Sequence, residues 1–182
     1  EVRELARTYF LDSVRRESTF IAEQLYERYL YQRSALARQF PFMMGNDVWK
    51  GGRHLSPTDK VGDVFSSGTL GIGFIGGHNA MVAMYGQGHG KNDEAWQTLY
   101  DAIQVINEVV KEYKAKYHLN YSVLATPAEG LSGRFTRMDR KRYGVIPGVN
   151  DLDYYVNSFH VDVKEEIGMF EKIRREAPFH AI

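Results

Sequence analysis

Cysteine is absent from the 182 residues. Its absence removes disulfides, thiolate metal sites and cysteine nucleophiles together, and it fits a cytoplasmic chain. Proline is scarce, at five residues, and neither proline nor glycine occurs in residues 1–38, so nothing there breaks a helix. Charge of one sign is not in excess. Lys and Arg number 23 and Asp and Glu number 23, so no basic field draws DNA or RNA. No apolar run approaches the roughly 18 residues that a membrane span needs. The opening Glu1-Val2-Arg3-Glu4 lies inside a helical pattern and carries no signal-peptide character.

What remains is 43% hydrophobic and 25% charged, the balance of a globular domain long enough for one real core. Val2, Leu5, Ala6, Tyr9 and Phe10 form an apolar stripe that Phe20, Ile21 and Leu25 continue. This predicts one long helix, or two broken near Arg16 to Ser18. Pro41, Gly45, Gly51 and Gly52 mark a loop. Ser56-Pro57-Thr58-Asp59 predicts a capped helix running to about Phe65. Gly68 to Gly76 reads as a glycine-rich buried strand, and Gly77 to Tyr85 as a buried helix. Leu99, Ile103, Ile106, Val110, Tyr113 and Tyr117 recur at spacings of 4, 3, 4, 3 and 4, the clearest amphipathic helix of the chain. Tyr121 to Ala125 reads as a strand, followed by a helix to about Arg142 that Gly144 stops. Tyr154 to Val163 alternates aromatic or β-branched with polar residues and reads as a third strand; Glu165 to Glu176 reads as a last helix. Strands alternating with helices imply an α/β fold with a parallel sheet and right-handed crossovers.

Several motifs carry possible chemistry. Gly71-Ile72-Gly73-Phe74-Ile75-Gly76 matches the dinucleotide pattern, but its glycines fall inside the strand rather than in a turn after it. Glycines so placed serve close approach instead. Gly86 to Lys91 lacks the first glycine and the final Ser/Thr of a phosphate loop. His54, His78 and His89 have no metal-ligand spacing, so no metal is expected. Thr126-Pro127-Ala128-Glu129 reads as a capping box, with Thr126 as the cap and Glu129 reaching back to it. The same helix start, placed after a strand, has free N–H groups that suit a phosphate, with Arg134 or Arg137 offsetting Glu129. In the third strand Ser158 and His160 share parity and therefore a face, with Asn157 on the other. A Ser and a His on one face fit either a satisfied buried pair or the wall of a wet cavity.

Three ordered motifs, Gly68 to Gly76, Ala125 to Ser132 and Tyr154 to Val163, together resemble the catalytic domain of anaerobic (class III) ribonucleoside-triphosphate reductases, which are glycyl-radical enzymes. Arg134-Phe135, Asp139, Gly144 to Val149 and Glu176-Ala177-Pro178 extend the resemblance from about Phe40 to Pro178. It implies part of a ten-stranded α/β barrel, with residues 1–40 a helical lead-in and residues 41–182 barrel strands and helices. It also implies that the 182 residues are a fragment of a single catalytic domain, inactive alone. The parent would convert ribonucleoside triphosphates to deoxyribonucleotides for DNA synthesis. A glycyl radical made with S-adenosylmethionine by a radical activase would oxidise a cysteine to the thiyl. The radical glycine, the cysteines and a C-terminal zinc site would lie outside this chain, which would bind no cofactor and hold no catalytic residue itself. Expected partners are the triphosphate substrate, the activase, ATP or deoxynucleotide effectors and a second copy in a homodimer. Thr126, Ala128 and Gly130, with Asn157, Ser158 and His160, are the expected substrate-binding residues. Two other readings stand beside this one: another glycyl-radical enzyme of the formate-lyase or dehydratase type, and a non-catalytic nucleotide-binding α/β module.

Overall fold

A computed structural model describes residues 1–182. The fold is mixed α/β around a two-stranded parallel sheet of β1 (Thr69–Phe74) and β2 (Asn120–Ala125). Six α-helices accompany it: α1 (Val2–Ser34), α2 (Pro41–Gly45), α3 (Gly77–Tyr85), α4 (Asp93–Tyr117), α5 (Glu129–Tyr143) and α6 (Met169–Glu176). The chain forms two compact units, one of residues 1–15, 73–107 and 123–182, the other of residues 16–72 and 108–122. No helix is long and apolar enough to cross a membrane.

The first unit centres on Met81 of α3, Ala95, Leu99 and Ile103 of α4, and Phe159 and Phe179. The spacing of α4 puts its apolar positions on one side, and Leu99, Ile103, Ile106, Val110 and Tyr113 are all buried. In the second unit, Ala37, Met44 and Val61 pack with Phe40, Trp49 and Phe65. There α1 buries Ser18, Ala22 and Tyr29, which fall along one side of the helix.

α1 is one unbroken helix of 33 residues. Its expected stripe is mostly turned outward: Phe10 joins the core, whereas Val2, Leu5 and Tyr9 are exposed. The inward side carries Arg7, which bonds Thr98 and pairs with Asp101. α6 is inverted in the same way. Met169, Phe170 and Ile173 face outward, while Arg175 lies inward, donating to Asp93 at 2.5 Å, and Glu176 accepts the Val161 N–H at 2.9 Å.

Four local expectations are corrected. Residues 154–163 are not a strand; one antiparallel bridge joins Asn157 to Ile75, and Ser158 then turns the backbone at φ 39°. Two-residue alternation is lost, because Ser158, Phe159 and Val161 are buried while His160 is exposed; Ser158 and His160 share no face. After Ser56, Asp59 does reach back to the Ser56 N–H at 2.8 Å, but only a turn forms, followed by a 3₁₀ helix at Gly62–Phe65. The last helix begins at Met169 rather than Glu165. Finally, α5 starts at Glu129 with Ala128, not Thr126, at the cap position and no side-chain cap bond.

Candidate functional site

The end of β2 passes through Thr126, Pro127 and Ala128 into α5. Thr126 does not cap the helix; its side chain lies against Gly73 of β1, where a Cβ would come within 3.1 Å of it. That close approach accounts for one glycine of the Gly71–Gly76 run. Gly76, at φ 77°, accounts for another: it is the cap residue before α3 and packs beneath the Tyr155 ring. Ala128 adopts φ 43°, ψ 34°, a left-handed conformation unusual for alanine. The first amide bonded inside α5 is that of Ser132, to the Ala128 carbonyl at 2.9 Å. The amides of Glu129, Gly130 and Leu131 precede it and have no partner within the helix.

Beside this helix start runs the 154–163 segment. Gly133 of α5 sits so close that a Cβ would meet the Asp153 carbonyl oxygen at 2.8 Å. Arg140 donates to the Leu152 carbonyl at 2.7 Å, and the Tyr155 hydroxyl donates to Asp139 at 2.6 Å. Burial, followed by the Asp139 hydrogen bond, raises the Tyr155 hydroxyl well above the ordinary tyrosine value. Asn79 of α3 holds the segment from its other side, accepting from the Val156 N–H and donating to the Val149 carbonyl, both at 2.9 Å.

Between them lies a cleft of about 380 Å³, lined among others by Pro127, Glu129, Ser132, Asn157, His160 and Lys172. Glu176 organises the α6 side. It accepts the Val161 N–H, lies 3.5 Å from His160 Nδ1 and 3.8 Å from Lys172 Nζ. The cleft thus joins a helix start rich in free amides to an amide side chain, an imidazole and an ammonium. A positive helix end and Lys172 favour an anion, and Asn157 and His160 can bond hydroxyl groups. Exposed Glu129 and buried Asp162, which also lines the cleft, oppose the anion.

Of the six residues expected at the site, Asn157 and His160 line the cleft. Thr126, Ala128 and Gly130 alternate with Pro127 and Glu129, which line it. Ser158 is buried at 1% exposure, its hydroxyl without a hydrogen-bond partner, and does not reach the cleft. Ala128 and Ser158 are two of only four non-glycine residues at positive φ. The other two, Asp47 and His118, lie in the second unit. Lys172 escaped sequence reasoning, although it stands four residues before Glu176, the spacing of a helical ion pair, and Tyr155 was visible only as a residue of the 154–163 motif. Asp139 and Glu176 were visible only as motif residues. No three His, Asp or Glu side chains gather to hold a metal ion.

A family model described as anaerobic ribonucleoside-triphosphate reductase matches residues 3–182. The chain is 35% identical over 131 residues to the anaerobic ribonucleoside-triphosphate reductase of Escherichia coli (strain K12), covering 70% of this chain and 18% of that protein. It is 34% identical over 131 residues to the protein of the same name from Haemophilus influenzae, again over 70% of this chain and 18% of that one. With the enterobacteria phage T4 protein of that name it shares 35% identity over 133 residues, 72% of this chain and 20% of that one. The match thus spans about a fifth of the length of these relatives.

Proposed function

Since the chain belongs to the anaerobic ribonucleoside-triphosphate reductase family, we propose that it is part of an oxidoreductase that converts ribonucleoside triphosphates to deoxyribonucleoside triphosphates without oxygen. The observation that carries this reading is the family match across residues 3–182. In the proposed parent, the radical glycine and the thiyl cysteine belong to other segments and supply the hydrogen-atom chemistry. A C-terminal zinc site, a radical activase using S-adenosylmethionine, nucleotide effectors, a homodimer and a cytoplasmic setting belong to the same proposal, as does a barrel of ten strands to which β1 and β2 contribute.

This chain's own share is binding and orientation. The free amides at the start of α5, near Thr126, Ala128 and Gly130, take the phosphates, assisted by Lys172. Asn157 and His160 then meet the ribose hydroxyls across the cleft. Glu176 fixes the imidazole, which holds one ring nitrogen toward the carboxylate and frees the other for substrate. Ser158 acts from beneath, setting the turn that aims Asn157 and His160.

The test is an anaerobic assay of the full-length parent with its activase and S-adenosylmethionine, following CTP to dCTP with formate and with thiol reductants. Activase-dependent dCTP is the expected result, and Asn157→Ala and Lys172→Met should each raise KM for the triphosphate. A glycyl radical without dCTP under either reductant would point instead to another glycyl-radical enzyme. Neither radical nor product would leave a non-catalytic nucleotide-binding module.

A further inference from the structure

Twelve tyrosines occur in the chain, and five of them cluster in the second unit. α1 contributes Tyr26 and Tyr29, α4 contributes Tyr113 and Tyr117, and β2 contributes Tyr121. The Tyr26 and Tyr117 rings stack at 3.7 Å and 7°. Tyr113 lies 5.8 Å from Tyr117 and 5.7 Å from Tyr121 between ring centroids. Ring packing alone accounts for this apolar burial. It does not account for the hydroxyls, since phenylalanine would pack as well.

Two of those hydroxyls share one acceptor. Tyr113 donates to Glu23 Oε1 at 2.5 Å and Tyr117 to Glu23 Oε2 at 3.1 Å. Tyr121, by contrast, donates to the Ala22 carbonyl, which cannot take up a proton. The Tyr113 hydrogen bond, then that of Lys116, holds the Glu23 carboxyl below its ordinary value, so it is ionised at neutral pH. Burial and then the Glu23 bond push the Tyr113 hydroxyl up to about 12, so the phenol keeps its proton. A neutral phenol bonded to a bare carboxylate loses an electron more easily than one with no base in contact. The oxidised phenol is a strong acid, and a base already in hydrogen-bond contact takes its proton without reorganisation. The Tyr26 ring stacked on Tyr117 adds an electron-rich face that stabilises the oxidised ring.

We propose that Tyr113 and Tyr117, with Glu23 as their shared proton acceptor, form a one-electron oxidation site. A strong one-electron oxidant, such as a sulfur- or oxygen-centred radical, gains one electron. A tyrosine O–H bond breaks, its proton passes to Glu23, and a neutral tyrosyl radical and a neutral carboxylic acid remain. The site would retain a stray oxidising equivalent that otherwise damages the chain. It does not depend on the reaction proposed above.

Lys116 makes the proposal separable from a structural role. Its ammonium is 3.0 Å from Glu23 Oε1 and lies 5.0 Å and 4.7 Å from the Tyr113 and Tyr117 ring centroids. A cation over a ring opposes electron loss, whereas the carboxylate assists it. Removing the two partners of one ion pair should therefore move the oxidation rate in opposite directions. Tyr155 also bonds a carboxylate, Asp139, and accounts for a residual signal.

The experiment is flash photolysis of the full chain with a ruthenium tris(bipyridine) complex and persulfate, reading tyrosyl radical formation by transient absorption and electron paramagnetic resonance. A fast phase is expected. Tyr113→Phe with Tyr117→Phe should reduce it to the residual Tyr155 signal while the rings keep their packing, as circular dichroism will check. Glu23→Gln should slow it on the order of a hundredfold, the lower end for loss of a positioned base. Lys116→Met should accelerate it, and Tyr143→Phe, at an exposed ring, should leave it unchanged. A rate indifferent to all four changes, or one that Glu23→Gln and Lys116→Met shift in the same direction, would overturn the proposal.

Discussion

Replacing Asn79 by alanine should release the 154–163 segment while leaving the rest of the first unit intact. Asn79 is 4% exposed, and its carboxamide makes two bonds to chain far away in sequence, to Val156 N–H and Val149 carbonyl. Alanine leaves the Val156 N–H buried without an acceptor, at a cost of about 1–3 kcal/mol. The Val149 carbonyl is half-buried and can rehydrate, adding about 1 kcal/mol. The sum, about 2–4 kcal/mol, corresponds to roughly a thirtyfold to a thousandfold loss of protection at the Val156 amide. Amide hydrogen exchange followed by NMR reads this directly, with the mid-helix amides of α4 as an internal reference. Unchanged protection at Val156 would refute the reasoning, because the bond would then not be what holds the segment. Equal loss in α4 would refute it too, since the effect would be global.

His89 is fully buried, donates from Nε2 to the Phe159 carbonyl at 2.7 Å, and is pushed down to about 4 chiefly by burial. Its folded value lies below the unfolded one, so the unfolded chain binds the extra proton; stability should be flat above about pH 6.5 and fall by up to about 3 kcal/mol toward pH 4, as urea midpoints against pH would show, with His89→Gln flattening that window. Gly77→Ala should cost about 1–3 kcal/mol, because its Cβ would lie 2.7 Å from the Ser158 carbonyl oxygen and 2.9 Å from Leu99. Gly45→Ala, at the end of α2 with nothing within 4 Å, should instead be neutral or stabilising by about 0.5–1 kcal/mol; thermal melts of the two variants check both signs.

How far the sequence could be read depended on whether local pattern and tertiary packing agreed. In α4 they agree: of the residues that recur every third or fourth position, all are buried except half-buried Tyr117, so period and environment coincide. Gly144 ends α5 with its N–H bonded to the Arg140 carbonyl at 3.0 Å, but at φ 77°, ψ −177° it is extended rather than in the left-handed helical turn expected of it. The 154–163 segment fails because its alternating pattern is overruled. The Gly77 N–H bonds the Ser158 carbonyl at 3.2 Å, and the absence of a Cβ at Gly77 admits a turn there, so consecutive residues become buried. Asn157 and His160 still reach one cleft, but by way of a left-handed turn that no strand period encodes. Lys172 was hidden for a related reason. α6 leaves Met169, Phe170 and Ile173 exposed and turns Arg175 and Glu176 inward, the reverse of an ordinary surface helix. The capping box at Thr126 was a sound local reading that lost to packing against Gly73.

The sheet has only two strands, so neither β1 nor β2 is an interior strand. Each keeps one side of its backbone amides and carbonyls outside the ladder, apart from the bridge just beyond β1 at Ile75. Natural edge strands are usually blunted by a charge, a proline or a bulge. Thr69–Phe74 and Asn120–Ala125 contain neither a charged residue nor a proline. Both rims are therefore chemically permissive to a further strand on either flank, and glycines at 71 and 73 leave the register of any newcomer weakly specified. In the proposed parent, strands from other segments would occupy these rims.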